Sequence, residues 1–138
     1  AWLNERLAKF DFIEVIEGRN DCVNTFYTFP ILFLPSVAGI DTEMFRVTLN
    51  QEGMYFASGY KPLYQQPIYQ RRQVFKHGYP FSAPENKGNA GNYEAGACPT
   101  AESLQNELLI SEHIRLPNTI DDFQTIVEAF EKIAGHLK

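Results

Sequence analysis

The 138-residue chain has the length of one compact domain, and we expect residues 1–138 to form a single domain. An apolar fraction of 44% and a charged fraction of 21% are typical of globular proteins and exclude a disordered chain, a collagen and a coiled coil. The apolar runs are far shorter than the ~20 residues of a membrane-spanning helix. The formal charge of −5 disfavours binding to nucleic acid. Composition therefore predicts a soluble protein with no nucleic-acid or membrane partner.

The first predicted elements are a helix and two strands. Apolar residues at helical spacing predict a helix over residues 2–10. Alternation of apolar and acidic residues predicts a strand over 12–16, and Thr, Phe, Tyr and Ile residues predict a longer strand over 24–34. Because Pro30 cannot donate a hydrogen bond to a neighbouring strand, it predicts an edge position or a bulge.

The next predicted helix begins after Asp41, a capping residue, and carries Phe45 and Leu49 on its apolar face before Gly53 ends it. A short strand over 54–57 follows. The order helix, strand, strand, helix, strand predicts an α+β fold: a two-layer domain with helices on one face of a small, mainly antiparallel sheet.

The last third of the chain begins with a predicted long loop over residues 72–99, rich in Gly, Pro and Asn. Helical spacing resumes over 100–109, and 112–116 is predicted as a short strand. Thr119 and Asp122 have the spacing of a capping box, and the apolar spacing that follows them predicts a long final helix.

Searches for catalytic and metal-binding motifs predict no catalytic residue and no metal site. The three histidines are far apart, and we expect each to be a surface or partly buried side chain. The two cysteines, Cys22 and Cys98, form no disulfide framework and are expected to be buried thiols in a reducing compartment. With no secretory signal apparent, the prediction is a cytoplasmic protein. Glu102 and Glu107 are interpreted as a solvated helix face.

The most unusual feature is a tyrosine-rich segment over residues 59–72. Its phenol, amide and guanidinium groups can bind a polar ligand, and its two prolines make the segment rigid. The alternative is that the tyrosine rings pack on the core, and the residue types alone favour that alternative. The candidate ligand contacts are Tyr60, Tyr64, Gln66, Tyr69 and Arg71.

Several of these segments occur in an order that resembles one known family. They are a Tyr-x-Phe-Pro-Ile strand at residues 27–31, the Tyr-Lys-Pro-Leu-Tyr-Gln-Gln-Pro-Ile-Tyr segment at 60–69, a Pro-Thr-Ala-Glu-Ser-Leu helix at 99–104, Leu116-Pro117, and the Asp122, Ile126, Ala129 and Lys132 pattern. This succession is similar to the C-terminal small domain of the DegT/DnrJ/EryC1/StrS family of pyridoxal-phosphate-dependent sugar aminotransferases, which are fold type I enzymes.

The resemblance implies that the chain belongs to a parent enzyme that transfers an amino group from an amino acid to a keto-sugar or keto-cyclitol. In that family the lysine that binds pyridoxal phosphate lies in a large N-terminal domain. The six lysines of this chain match no such motif: Lys9, Lys61, Lys76, Lys87, Lys132 and Lys138. The chain alone is therefore expected to be inactive and to bind no cofactor.

By the same resemblance, the expected partners are the large domain of the parent and a second copy in a homodimer. The five candidate residues would close one side of the substrate cleft. Two departures weaken that transfer. Gly59 and Tyr64 stand where many members have histidine, and the loop between Arg72 and Pro99 is longer than in compact members of the family. The alternative function is a stand-alone, non-catalytic binding or regulatory module with the small-domain fold.

Overall fold

The computed structural model describes residues 2–25, 27–88 and 91–137. The chain divides into two compact units. The first, here called the sheet unit, contains the residues up to Gly59 and those from Asn106 onwards, and the second, the tyrosine unit, is Tyr60–Gln105. The expectation of a single domain over 1–138 stays a prediction. Within the described ranges, no helix is long and apolar enough to cross a membrane.

The described residues form six α-helices and four strands. In chain order they are α1 (Trp2–Leu7), β1 (Ile13–Val15), β2 (Phe29–Phe33), α2 (Pro35–Ala38), α3 (Thr42–Gln51), β3 (Ala57–Ser58), α4 (Pro67–Gln70), α5 (Pro99–Glu107), β4 (Leu108–Ser111) and α6 (Ile120–Ala134). Three short 3₁₀ turns occur in the tyrosine unit, at Leu63–Gln65, Lys76–Gly78 and Pro84–Asn86.

The four strands form one antiparallel sheet in the order β1-β2-β4-β3. Helices combined with this antiparallel sheet confirm the predicted α+β class. Phe29, Ile31 and Phe33 alternate along β2 and are buried, as the period of two in a strand requires. They share one hydrophobic core with residues of α1, α3 and α6, so these three helices cover that face of the sheet.

Phenylalanine rings fill the centre of this core. Phe130 of α6 is fully buried, and its ring lies 5.7 Å from that of Phe45 and 6.1 Å from that of Phe56, measured between centroids. Burying a phenylalanine side chain contributes about 1.5–3 kcal/mol. The aromatic side chains therefore join α6 to α3 and to the segment before β3.

Both predicted helix caps are confirmed. The Asp41 carboxylate accepts a hydrogen bond from the Met44 N–H at 2.7 Å, and Gly53, past the end of α3, has the left-handed φ of +83° that glycine tolerates. At α6, the Asp122 carboxylate accepts from the Thr119 N–H at 2.7 Å, and the Thr119 hydroxyl accepts from the Asp122 N–H. This is the predicted capping box.

The edge position predicted for Pro30 is confirmed locally, although β2 is a central strand that pairs with β1 on one side and with β4 on the other. The ladder with β1 ends at the Val15–Ile31 pair, and Pro30 lies just past that end, where only β4 pairs with β2. One strand prediction is wrong. The last strand is Leu108–Ser111, whereas the sequence predicted helix as far as 109 and a strand at 112–116.

Other boundaries also differ. The helix predicted over 2–10 ends at Leu7, and the strand predicted over 24–34 is Phe29–Phe33; Phe26 of that prediction lies outside the described residues. Cys22 and Cys98 are both exposed, so the prediction of buried thiols is wrong. His77, His113 and His136 are exposed, which agrees with their interpretation as surface side chains.

Candidate functional site

The candidate segment in the tyrosine unit is folded into two consecutive turns, each positioned by a proline. Pro62 precedes the 3₁₀ turn at Leu63–Gln65, and Pro67 occupies the first turn of α4. Proline fixes φ near −65° and needs no hydrogen-bond partner for its nitrogen, which suits both positions. These two turns fix the backbone positions from which the Tyr64 and Tyr69 side chains extend.

The central contact joins Tyr64 to α5. The Tyr64 hydroxyl donates a hydrogen bond to Oε1 of Glu102, and the Gly96 N–H donates to the same oxygen at 2.7 Å. The hydrogen bond from Tyr64, with that from Gly96, lowers the pKa of the Glu102 carboxyl. Partial burial raises the pKa of the Tyr64 hydroxyl, and the hydrogen bond to Glu102 raises it further. Glu102 is therefore ionised and Tyr64 protonated at neutral pH.

The other four candidate residues lie in different environments. Tyr60 is 71% exposed and Arg71 is exposed, and no described residue pairs with the Arg71 side chain. Gln66 is half-buried, and its backbone carbonyl accepts from the N–H groups of Tyr69 and Gln70 at the start of α4. Its side chain makes no capping hydrogen bond. Tyr60 and Arg71 are thus the two most exposed of the five candidates.

Tyr69 packs in a group of aromatic rings. Its centroid lies 5.6 Å from that of Tyr93 and 6.4 Å from that of Phe81, and these two rings approach each other edge to face at 6.1 Å. Tyr69 therefore packs on rings of its own unit, and none of these three rings belongs to the hydrophobic core of the sheet unit. Ligand contact by the five candidates stays a prediction.

Two residues that the sequence analysis did not select connect the segment to the predicted loop 72–99. The Gln70 side-chain amide donates to the carbonyls of Tyr64 at 2.8 Å and Tyr93 at 2.6 Å. The Arg72 guanidinium lies 5.4 Å from the Tyr93 ring centroid and donates to the Gly91 carbonyl at 3.3 Å. Asn89 and Ala90 of that loop lie outside the described residues.

Glu102 is the most important residue that the sequence analysis misjudged. Its interpretation as part of a solvated helix face is wrong, because it is half-buried and binds Tyr64, 38 positions away in the chain. The available signal was its place in the Pro-Thr-Ala-Glu-Ser-Leu segment that carries the family resemblance.

A separate pocket of about 210 Å³ lies within the sheet unit, between the segment before β3 and the start of α6. Its lining includes Tyr55 and His113, whose rings meet edge to face at 5.0 Å. Ser111, Asn118 and Asp122 supply polar atoms to the lining. The Ser111 hydroxyl is buried and accepts from the His113 N–H at 3.3 Å. The pocket has room for a small ligand only.

Every lysine that the structure describes is exposed. Lys132 is ion-paired with Glu52 at 2.7 Å, and no lysine lines the pocket beside Tyr55 and His113. Lys9, Lys61, Lys76 and Lys87 are exposed, and Lys138 lies outside the described residues. Across the described ranges, no three His, Cys, Asp or Glu side chains come together as a metal site.

Comparison with known proteins does not assign the chain to a family. Neither a protein-family model nor a curated protein matches this chain.

Proposed function

We propose that this chain is the substrate-closing small domain of a pyridoxal-phosphate-dependent aminotransferase that acts on a keto-sugar or keto-cyclitol. The resemblance over most of the chain suggests the family, and the α+β fold with its antiparallel sheet is compatible with it. The cofactor and its lysine would belong to the large domain of the parent protein. The chain alone would then be inactive, cytoplasmic, and part of a homodimer.

The observation that carries the proposal is the arrangement of polar groups in the tyrosine unit. Tyr60 and Arg71 present an exposed hydroxyl and guanidinium, and a hydrogen-bonded Tyr64–Glu102 pair belongs to the same unit. A polyol substrate needs several such donors and acceptors for orientation. In this role the chain's residues bind and orient the substrate and exclude water from it, and they take no part in covalent chemistry.

The gene that encodes the chain provides the first test. We expect its reading frame to continue upstream into a larger domain that contains a lysine within a cofactor-binding core. For the purified 138-residue chain mixed with pyridoxal phosphate, we expect no stoichiometric adduct that borohydride reduces onto one lysine. A stoichiometric adduct would contradict the assignment of the cofactor to another domain.

Kinetics of the full-length enzyme provide the second test. Tyr60→Phe removes one exposed hydroxyl, and we expect it to raise KM or lower kcat with nearly unchanged thermal stability. Tyr79→Phe is the matched control, because Tyr79 is exposed in the same unit but lies outside the candidate segment. If Tyr60→Phe, Tyr79→Phe and the wild type have the same KM and kcat, Tyr60 does not contact the substrate.

The second candidate function is a stand-alone binding or regulatory module. The pocket beside Tyr55 and His113 favours it, since this pocket lies wholly within the sheet unit and does not depend on a parent enzyme. A reading frame bounded by a start and a stop codon around these 138 residues would favour the module over the enzyme.

A further inference from the structure

The pocket of about 210 Å³ in the sheet unit has a buried apolar lining. Phe56 and Ile126 line it and are 1% and 7% exposed, and Met54 and Ile114 add further apolar surface. A cavity of about 150 Å³ between apolar side chains is large enough to hold benzene. This pocket therefore has room for a ring of that size with one small polar substituent.

The charge of the lining is negative. Among the described residues that line the pocket, Asp122 is the one carboxylate, and none is a lysine or an arginine. Hydrogen bonds from the Thr119 N–H and hydroxyl lower the pKa of the Asp122 carboxyl, so it is ionised at neutral pH. The Arg46 guanidinium, which donates to the Phe56 carbonyl at 3.4 Å, is ion-paired with Glu43 at 2.5 Å. The pocket should therefore attract a cation and repel an anion.

Two neutral groups of the lining also suit a cation. The Tyr55 ring contacts the His113 ring edge to face, and the face of a tyrosine ring attracts an organic cation. Ser111 is 2% exposed, and its hydroxyl accepts a hydrogen bond from the His113 N–H. Because a hydroxyl has two acceptor positions, this one bond does not exhaust its capacity to accept. Carboxylate, ring and hydroxyl thus favour the same ligand chemistry.

We propose that this pocket binds a small organic ammonium. Asp122 is the counter-ion of the ammonium group, Ser111 accepts one of its N–H groups, and Phe56 and Ile126 contact an apolar part about the size of a benzene ring. The pocket lies wholly within the sheet unit. The inference is therefore independent of the substrate-closing role proposed for the tyrosine unit.

Three probes of similar shape and different charge test the proposal on the 138-residue chain: benzylamine is a cation, benzyl alcohol is neutral and benzoate is an anion. Each is titrated to about 10 mM while nuclear magnetic resonance follows isoleucine methyl groups. Ile114 and Ile126 line the pocket, whereas Ile13 lies in β1, at the opposite edge of the sheet from β3. We expect shifts at Ile114 and Ile126 but not at Ile13, and benzylamine should bind about tenfold more tightly than benzyl alcohol, with benzoate weakest.

Asp122→Asn separates charge from shape, because asparagine has nearly the size of aspartate but no charge. We expect the preference for benzylamine over benzyl alcohol to disappear in this variant. Asp121→Asn is the matched control: Asp121 lies in the same first turn of α6 and is not among the residues that line the pocket. It removes the same formal charge from the chain and should leave the preference unchanged.

A second variant avoids the helix cap, since Asp122→Asn also weakens the capping box. Thr125 is exposed on α6 and lines the pocket, so Thr125→Phe should fill the pocket and weaken the binding of benzylamine and benzyl alcohol by at least about tenfold. Gln124→Phe is its matched control, because Gln124 is an exposed neighbour on the same helix that does not line the pocket. This variant should bind both probes as the wild type does.

The other outcomes overturn the proposal. Benzoate that binds as tightly as benzylamine, or a preference that survives in Asp122→Asn, shows that Asp122 is not the counter-ion. Equal binding by Thr125→Phe and the wild type, or shifts at Ile13 as large as those at Ile114 and Ile126, places the ligand outside the pocket. Absence of any shift at about 10 mM benzylamine also overturns it. Each of these results leaves the proposed aminotransferase role standing, because its tests concern the tyrosine unit and the reading frame.

Discussion

The rings of Phe33 and Phe45 stack in the sheet unit with their centroids 4.2 Å apart and their planes 10° apart. Phe33 is the last residue of β2 and Phe45 lies in α3, and both side chains are fully buried. The Phe12 ring meets Phe45 edge to face at 5.8 Å. Stacked and edge-to-face aromatic pairs stabilise a core by about 0.5–1.5 kcal/mol beyond burial alone. This pair therefore holds a central strand against a helix.

Phe45→Ala should lower the free energy of unfolding by about 3–5 kcal/mol, because it removes a buried ring and leaves a cavity beside Phe33. Chemical denaturation followed by circular dichroism measures the loss. Val23→Ala is the control: Val23 is 91% exposed, and its truncation should change stability by less than about 0.5 kcal/mol. Similar losses in the two variants would contradict the assignment of Phe45 to the core.

Thr119→Ala should destabilise the protein by about 1 kcal/mol, because the hydroxyl that accepts from the Asp122 N–H is lost at the start of α6. Thr125→Ala, one turn further along, provides the comparison. Its hydroxyl donates to the Asp121 carbonyl within the helix, where alanine is a better helix former. The melting temperature of Thr119→Ala should be clearly lower than that of Thr125→Ala.

The capping box predicts a loss of stability in acid. Hydrogen bonds from the Thr119 N–H and hydroxyl lower the pKa of the Asp122 carboxyl below its ordinary value. The contribution is present above the pKa of the unfolded chain and is lost as the pH falls through the lower folded pKa. Asp122→Asn should flatten the acid limb of a stability–pH curve. If Asp122→Asn and the wild type lose the same stability in acid, folding does not lower the pKa of Asp122.

The Tyr64–Glu102 hydrogen bond predicts a second pH dependence at the alkaline end. The pKa of Tyr64 is raised, so its contribution is present below the unfolded tyrosine pKa and disappears as the pH rises through the folded one. Ultraviolet titration of tyrosine ionisation should show one late-titrating group that Tyr64→Phe removes. Tyr60→Phe should leave that late-titrating group in place.

Hydrogen exchange should differ between the two units. In the tyrosine unit the described residues bury few side chains, Pro62 and Ala83 among them, whereas β2, β4 and α6 carry most of the buried core. Local opening is easier where little apolar surface is buried. Amides of residues 60–105 should therefore exchange faster than those of β2, β4 and α6 in mass spectrometry. Equal protection would contradict this reasoning.

The parts of the fold that the sequence predicted correctly are governed by local chemistry. Asp41 and the Thr119–Asp122 pair satisfy backbone groups within one helical turn, so a few residues suffice to place the start of α3 and of α6. Gly53 ends α3 for an equally local reason, its left-handed backbone.

The parts that it missed depend on distant partners. Leu108 continues the helical spacing of Leu104, but its strand conformation comes from pairing with Leu32 of β2. In the tyrosine unit, the sequence selected Tyr64 but not Glu102, since nothing local connects a turn to a helix 38 positions later.

The outermost strands are very short: β1 has three residues and β3 has two. Long, flat outer strands act as templates on which a second molecule adds its own backbone, and natural proteins reduce that hazard by shortening them. This sheet therefore offers a neighbouring molecule little unpaired backbone to extend, which favours monodisperse samples at the concentrations that weak-binding measurements require.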